Sequence, residues 1–368
     1  MKTILATAYA VNPYKGSEDG TGWNFIYQIA LKNKVVAITR KNNRKDIERF
    51  FSANTDPVLH NIEFYYYDLP YWMRFWKRGG KGSTIYFYLW QMFMPLFVLW
   101  NRLQFDIAHN INFHSDSHPS FLWVLGKPLI WGPVGHHPPI PKDYILPIYG
   151  RKAYLKDRLF FIVKTAFRNL DPFYRLCVHK AHRIIAINSS VQKVSRANPE
   201  KVVVMPAVSS ENVPFKRVKK EQFNVISVGR FVPMKAFELS IIAFSKFYKN
   251  LPLVDQKKCS LSLIGKGPEK ALLKKLVRTH ELEEVTEFID WVPREKMEEI
   301  YRQASAFLFP SHEGAGMVIP EALSYALPIL CFDNVGPGEL VSRQASFKIP
   351  YSNYLQSVHQ FAYALDTL

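Results

Sequence analysis

The sequence predicts an α/β protein built from two doubly wound, Rossmann-like domains facing each other across a cleft. Three observations carry this. The chain has 368 residues, enough for two domains of ordinary size. Short β-rich runs alternate with helix-length segments along both halves, the pattern of a parallel sheet covered by helices. A polar, basic stretch containing Pro214, "VSSENVPFKRVKKEQ", interrupts the pattern at 208–222. The expected division is an amino-terminal domain over 1–207, a linker over 208–222 and a carboxy-terminal domain over 223–368.

In the first half, "TILATAYAV" (3–11) reads as a strand, "GTGWNFIYQIALKN" (20–33) as a helix and "KVVAITR" (34–40) as the next strand. "FDIAHNI", "KPLIWGPVG", "AHRIIAIN" and "KVVVMPA" supply further strands at 105–111, 127–135, 181–188 and 201–207. After the linker the alternation is more regular. The strands "NVISVGRF", "SLSLIGKG", "VTEFIDWV", "SAFLFPS" and "PILCFD" enclose the helices "AFELSIIAFSKFYKN", "PEKALLKKLVRTH", "EKMEEIYRQA" and "PEALSYAL". Sheets of this kind bind ligands outside the carboxyl ends of their strands.

Hydrophobic residues make up 48% of the chain, which excludes a disordered protein. The three cysteines, Cys177, Cys259 and Cys331, are too few and too scattered for a disulfide framework or a zinc site, and fit a reducing compartment. A net charge of +17 points to an anionic neighbour: nucleic acid, an anionic membrane or a phosphorylated small molecule. The amino terminus lacks a small-residue cleavage site and reads as a first strand, not a signal peptide. "IYFYLWQMFMPLFVLW" (85–100) is short for a membrane span and reads as a buried or interfacial helix. In "RKAYLKDRLFFIVKTAFRNLDPFYR" (151–175), Leu155, Leu159, Phe160, Val163, Phe167 and Leu170 approach a helical stripe. Arg151, Lys152, Lys156, Arg158, Lys164 and Arg168 decorate the rest. Such a helix suits an anionic membrane surface or ordinary packing on the sheet.

The chemistry concentrates after two strands of the second half. "FPSHEGAGMVIPEA" (309–322) places Glu313 on a loop with Gly314 and Gly316, and Glu321 near the start of a helix. The glycines let backbone approach a ligand. Each carboxylate can accept two hydroxyl hydrogen bonds, so the pair can hold a sugar at one end and a ribose at the other. The helix amino terminus and the cations Arg230 and Lys235, in "SVGRFVPMKAFEL", favour phosphate between them.

With these segments in hand, "SVGRFVPMKAFELSIIAF", "LSLIGKGPEKALLKKL", "TEFIDWVPREKMEEIYRQASAFLFPS" and "EGAGMVIPEALSYALPILCFDNVGPGEL" together resemble the retaining family 4 glycosyltransferases of the GT-B fold (glycosyl transferases group 1). The likeness is dense over 224–341 and thinner over "NPYKGSEDGTGW", "FDIAHN" and "PLIWGPVG". It implies that Glu313 binds donor-sugar hydroxyls beside the anomeric centre and that Glu321 binds the nucleotide ribose. Arg230 and Lys235 would bind the diphosphate and offset its developing charge. Gly229, Gly314 and Gly316 join this donor-binding set, and Gly16 lies in the amino-terminal glycine loop. Two details depart from the pattern: Ala236 stands where members usually have glycine, and an aromatic of the "EGAG" motif is replaced. The family's amino-terminal histidine matches Val134 here, which leaves His136 or His109 as the candidate for a sugar or acceptor contact. Structural roles for both histidines stay open.

The resemblance implies transfer of a sugar from a UDP- or GDP-linked donor to a glycan or lipid-linked acceptor in surface polysaccharide synthesis, by front-face displacement. The implied place is the cytoplasm, with a peripheral position on the inner face of the membrane. No D-x-D occurs, so no metal is expected, and no cofactor. The rival readings are a nucleotide-sugar epimerase on the same scaffold and a basic nucleic-acid-binding protein. No nucleic-acid module supports the second, so nucleic acid is not an expected partner.

Overall fold

The computed structural model describes residues 1–77, 82–112, 114–210, 213, 221–290 and 292–368. Most of the expected linker, 211–212 and 214–220, lies outside the described residues. The chain forms two compact units. One comprises Met1–His136 and Ile162–Ala207, the other His137–Phe161 and Val208–Leu368.

Among the described residues the first unit holds a seven-stranded parallel sheet. Its strands are β1 (Thr3–Ala8), β2 (Lys34–Thr39), β3 (Ile62–Tyr66), β4 (Ile107–Asn112), β5 (Leu129–Val134), β6 (Arg183–Ala186) and β7 (Val202–Val204). They run in the order β3-β2-β1-β4-β5-β6-β7. The order reverses between β1 and β4, the hallmark of a doubly wound sheet. β1 is buried on both faces, as a central parallel strand must be. One face packs Leu5, Tyr86, Trp90 and Trp131; the other packs Ala6, Trp23, Ile26 and Ile47. β3 and the helix Arg44–Ala53 fall in a stretch to which the sequence reading assigns no element. The helix Ser83–Trp100 turns Tyr86, Phe87, Trp90, Met94 and Val98 into the core and leaves Ile85, Leu96, Leu99 and Trp100 exposed. No helix among the described residues is long and apolar enough to cross a membrane.

The second unit contains a six-stranded parallel sheet among the described residues. Its strands are β8 (Phe223–Val228), β9 (Cys259–Ile264), β10 (Thr286–Ile289), β11 (Ala306–Phe309), β12 (Ile329–Phe332) and β13 (Ser346–Ile349). Their order is β10-β9-β8-β11-β12-β13, so the reversal falls between β8 and β11. Both are followed by the loops that carry the charged candidates.

The unit boundary differs from the sequence expectation. Residues 137–161, expected within 1–207, cluster with the second unit. The reason is packing: Ile140, Tyr144 and Ile145 are buried in that unit's core, and the Tyr144 hydroxyl lies 2.6 Å from Ser357 Oγ. The helix Lys142–Leu170 is interrupted at Gly150, whose φ of 76° lies in the left-handed region. It stops at Leu170, short of the expected 175, because Asp171 caps a new helix, Pro172–Lys180, by accepting from the Phe173 N–H at 2.9 Å.

Candidate active site

In the second unit, the chain leaves β8 through Gly229, whose φ of 154° favours glycine. A Cβ there would lie in ordinary contact with the Lys235 side chain, 3.4 Å away. Lys235 ends a short 3-10 turn, Pro233–Lys235, so its stem folds back over the strand end. The loop after β11 is stitched to that turn. The His312 N–H donates to the Met234 carbonyl at 2.9 Å, and the Ser311 hydroxyl donates to the same oxygen at 3.2 Å. These bonds bring Lys235 Nζ to 2.6 Å from Glu313 Oε2, a pair whose side chains are 13% and 8% exposed. So shielded a pair is held by charge-assisted hydrogen bonding, and losing either partner strands the other.

Glu313 is further fixed from its own loop. Its Oε1 accepts the Gly316 N–H at 3.1 Å, and its own N–H donates to Ser311 Oγ at 3.3 Å. Gly316 takes the left-handed region, φ 65°, to close that turn. Gly336 backs the loop: a Cβ there would lie 2.4 Å from the Gly314 carbonyl carbon. Glu321 follows in the six-residue helix Ile319–Ser324 and is exposed, with the Tyr301 hydroxyl donating to its Oε2 at 3.2 Å. Arg230 is also exposed. The structure therefore brings Lys235, Glu313, Gly229, Gly314 and Gly316 to the carboxyl ends of β8 and β11, where the strand order reverses and such sheets bind ligands. Ala236 adopts φ 49°, a left-handed position that glycine would occupy without strain.

Residues expected from the first half fall in the first unit: Gly16 after β1, His109 within β4 and His136 just after β5. Gly16 precedes the helix Ser17–Ala30, and a Cβ there would meet nothing within 4 Å, so packing does not demand glycine. His109, on β4, is buried; its Nε2 lies 2.8 Å from the Gly132 carbonyl, and burial pushes its pKa down to about 4. A neutral ring donating Nε2–H to that carbonyl ties β4 to β5 and occupies the nitrogen a ligand would need. His136, just after β5, is buried too, with Nδ1 2.6 Å from Asp116 Oδ2.

Two participants are missed by the sequence reading. His137 belongs to the second unit and accepts the Gly314 N–H on Nδ1 at 2.9 Å, which ties it to the Glu313 loop. The only local signal is its place after a β-strand, which the neighbouring His136 shares. Asp116 is fully buried at the centre of a charge cluster. Its neighbours come from distant sequence and leave no local pattern.

Comparison with known proteins places this geometry. Residues 209–363 match the family model for "Glycosyl transferases group 1". The matched residues all lie in the second unit. Over 124 residues the chain is 34% identical to the amylovoran biosynthesis glycosyltransferase AmsD of Erwinia amylovora, 33% of each protein. The stretches matched span 32% to 57% of the first curated relatives. WaaG, a glycosyltransferase involved in lipopolysaccharide biosynthesis, superposes with a TM-score of 0.62 at 14% identity, covering 99% of this chain and 90% of that one. Anabaena Alr3699/HepE, solved with UDP, gives a TM-score of 0.59 at 15% identity, covering 100% of this chain and 89% of that one. At these identities the likeness shows the fold, and the fold is GT-B: two Rossmann-like domains. Within the matched residues the Lys235–Glu313 pair stands on the two loops that flank the reversal of the sheet.

Proposed function

We propose that the protein is a retaining, metal-independent glycosyltransferase that moves a sugar from a nucleotide diphosphate sugar to an acceptor hydroxyl during synthesis of a surface polysaccharide or lipid-linked glycan. The observation that carries the reading is the Lys235–Glu313 pair at the strand-order reversal of a group 1 domain. A uridine donor is the first choice because a structural neighbour binds UDP; a guanosine donor is the second.

Lys235 exchanges part of its contact with Glu313 for the donor diphosphate, and Arg230 adds a planar fork to it. As the glycosidic bond breaks, negative charge grows on the leaving phosphate and positive charge on the anomeric carbon. The two cations stabilise the first and the Glu313 carboxylate the second, fixed groups that need no reorganisation. Glu313, oriented by the Gly316 N–H, keeps lone pairs for sugar hydroxyls. Glu321 takes the ribose. The acceptor attacks from the front face, with the leaving phosphate taking its proton.

The test is product analysis with excess chelator present. The transferred sugar should keep the donor's anomeric configuration by NMR. Glu313→Gln should cut turnover by about a hundredfold or more while nucleoside diphosphate still binds. An inverted product, activity abolished by chelator and restored by a divalent cation, or full turnover in Glu313→Gln would overturn the reading.

A further inference from the structure

The first unit contains a buried charge cluster that the proposed chemistry does not use. Asp116, on the loop after β4, is 0% exposed. Lys164 Nζ lies 2.7 Å from its Oδ1, and Arg168 Nη1 donates to its Oδ2. His136 Nδ1 approaches the same Oδ2 at 2.6 Å. The cations and the histidine hold the Asp116 carboxyl far below the usual carboxylate range against the opposing effect of burial. An ionised oxygen at that distance from a ring nitrogen requires the proton on Nδ1, since two lone pairs would repel. Arg168 Nη1 also lies 3.2 Å from Nδ1, a consequence of both groups gripping one oxygen. The Asn188 amide donates to the His136 carbonyl at 2.8 Å and fixes the backbone as well.

The consequence is chemical. With the proton on Nδ1, the second nitrogen of a neutral ring is an acceptor. No group among the described residues bonds Nε2. A lone pair there accepts an O–H and repels phosphate or carboxylate oxygen.

We propose that Asp116, Lys164 and Arg168 are positioning residues that lock His136 in the Nδ1–H tautomer, so that its Nε2 accepts a hydroxyl of a saccharide and not an anionic group. The proposal rests on the reading that the protein acts on saccharides, but the tautomer is testable without any transfer reaction.

The experiment has two arms. In the first, the ring nitrogens of the ¹⁵N-histidine-labelled protein are read by NMR, with His136→Gln supplying the assignment. His136 should show a pyrrole-like Nδ1 and a pyridine-like Nε2; the reverse pattern, or rapid averaging, overturns the lock whatever the enzyme's activity. In the second, the double variant Asp116→Asn/Lys164→Gln keeps the cluster's net charge and removes the anionic partner of Nδ1. Nε2–H should become populated, and KM for the saccharide accepting the transferred sugar should rise about tenfold or more with Kd for nucleoside diphosphate unchanged. An unchanged tautomer and KM in a folded variant would refute the proposal. If the wild-type tautomer is as expected while no nucleotide sugar supports transfer, the glycosyltransferase reading fails and the lock stands.

Discussion

Glu238 shows how a single residue links the fold to pH. It is 1% exposed, and burial raises its pKa to about 7, with the Tyr149 hydroxyl donating at 2.6 Å and pulling the other way. An unfolded glutamic acid loses its proton near its ordinary value, so between there and about 7 the folded state binds more protons than the unfolded one. Stability therefore falls as pH rises through that window, by at most about 3 kcal/mol from this group. Urea unfolding at about pH 5 and about pH 8 should show Glu238→Gln gaining on the parent at the higher pH; parallel curves would refute this. The same residue scale shows what was legible beforehand. Arg230, Lys235 and Glu313 were legible as candidates because each lies a few positions after a recognisable strand, and Glu321 because it lies near the start of the following helix. The groups that hold the Glu313 loop were hidden: the Met234 carbonyl, the Ser311 hydroxyl and His137 act through hydrogen bonds that no spacing encodes.

At the scale of elements, the basic helix after Gly150 is an instructive case. The sequence reading spreads six cations over its polar face. In the structure Lys164 and Arg168 turn inward to Asp116, and Arg158 donates to the Ile140 carbonyl. The outward residues include Leu155, Leu159, Phe160, Ile162, Val163 and Leu170, between 46% and 79% exposed, with Arg151, Lys152 and Lys156 exposed beside them. Periodicity found the stripe but not its direction, because the direction depends on a carboxylate from a distant loop. An exposed apolar stripe flanked by cations suits an anionic lipid surface. Vesicles containing anionic lipid should sediment the protein more than neutral ones, added salt should weaken that binding, and Leu159→Ser/Val163→Ser should reduce it. Equal sedimentation with both vesicle types would count against a lipid-facing role.

For the whole molecule, the alternation of strands and helices made the two doubly wound units legible, and the charged loops of the second unit fell where its strand order reverses. The division of the chain between units was not legible. Residues 137–161 follow a first-unit strand in sequence, and only the burial of Ile140, Tyr144 and Ile145 among second-unit side chains assigns them. The strand β3 escaped because a short, half-exposed edge strand carries a weak pattern. The central claim concerns one place on this scaffold: that the carboxyl ends of β8 and β11 bind a nucleoside diphosphate. Calorimetric titration of UDP and GDP into the parent, Arg230→Ala, Lys235→Ala and Glu321→Ala tests it most directly, with thermal unfolding as control because Lys235→Ala leaves Glu313 without its cation. The account predicts that one of the two nucleotides binds the parent and that each substitution weakens it by about 1 to 3 kcal/mol, with Arg230→Ala and Glu321→Ala unfolding as the parent does. Binding unchanged in all three variants, or absent for both nucleotides in the parent, would contradict it.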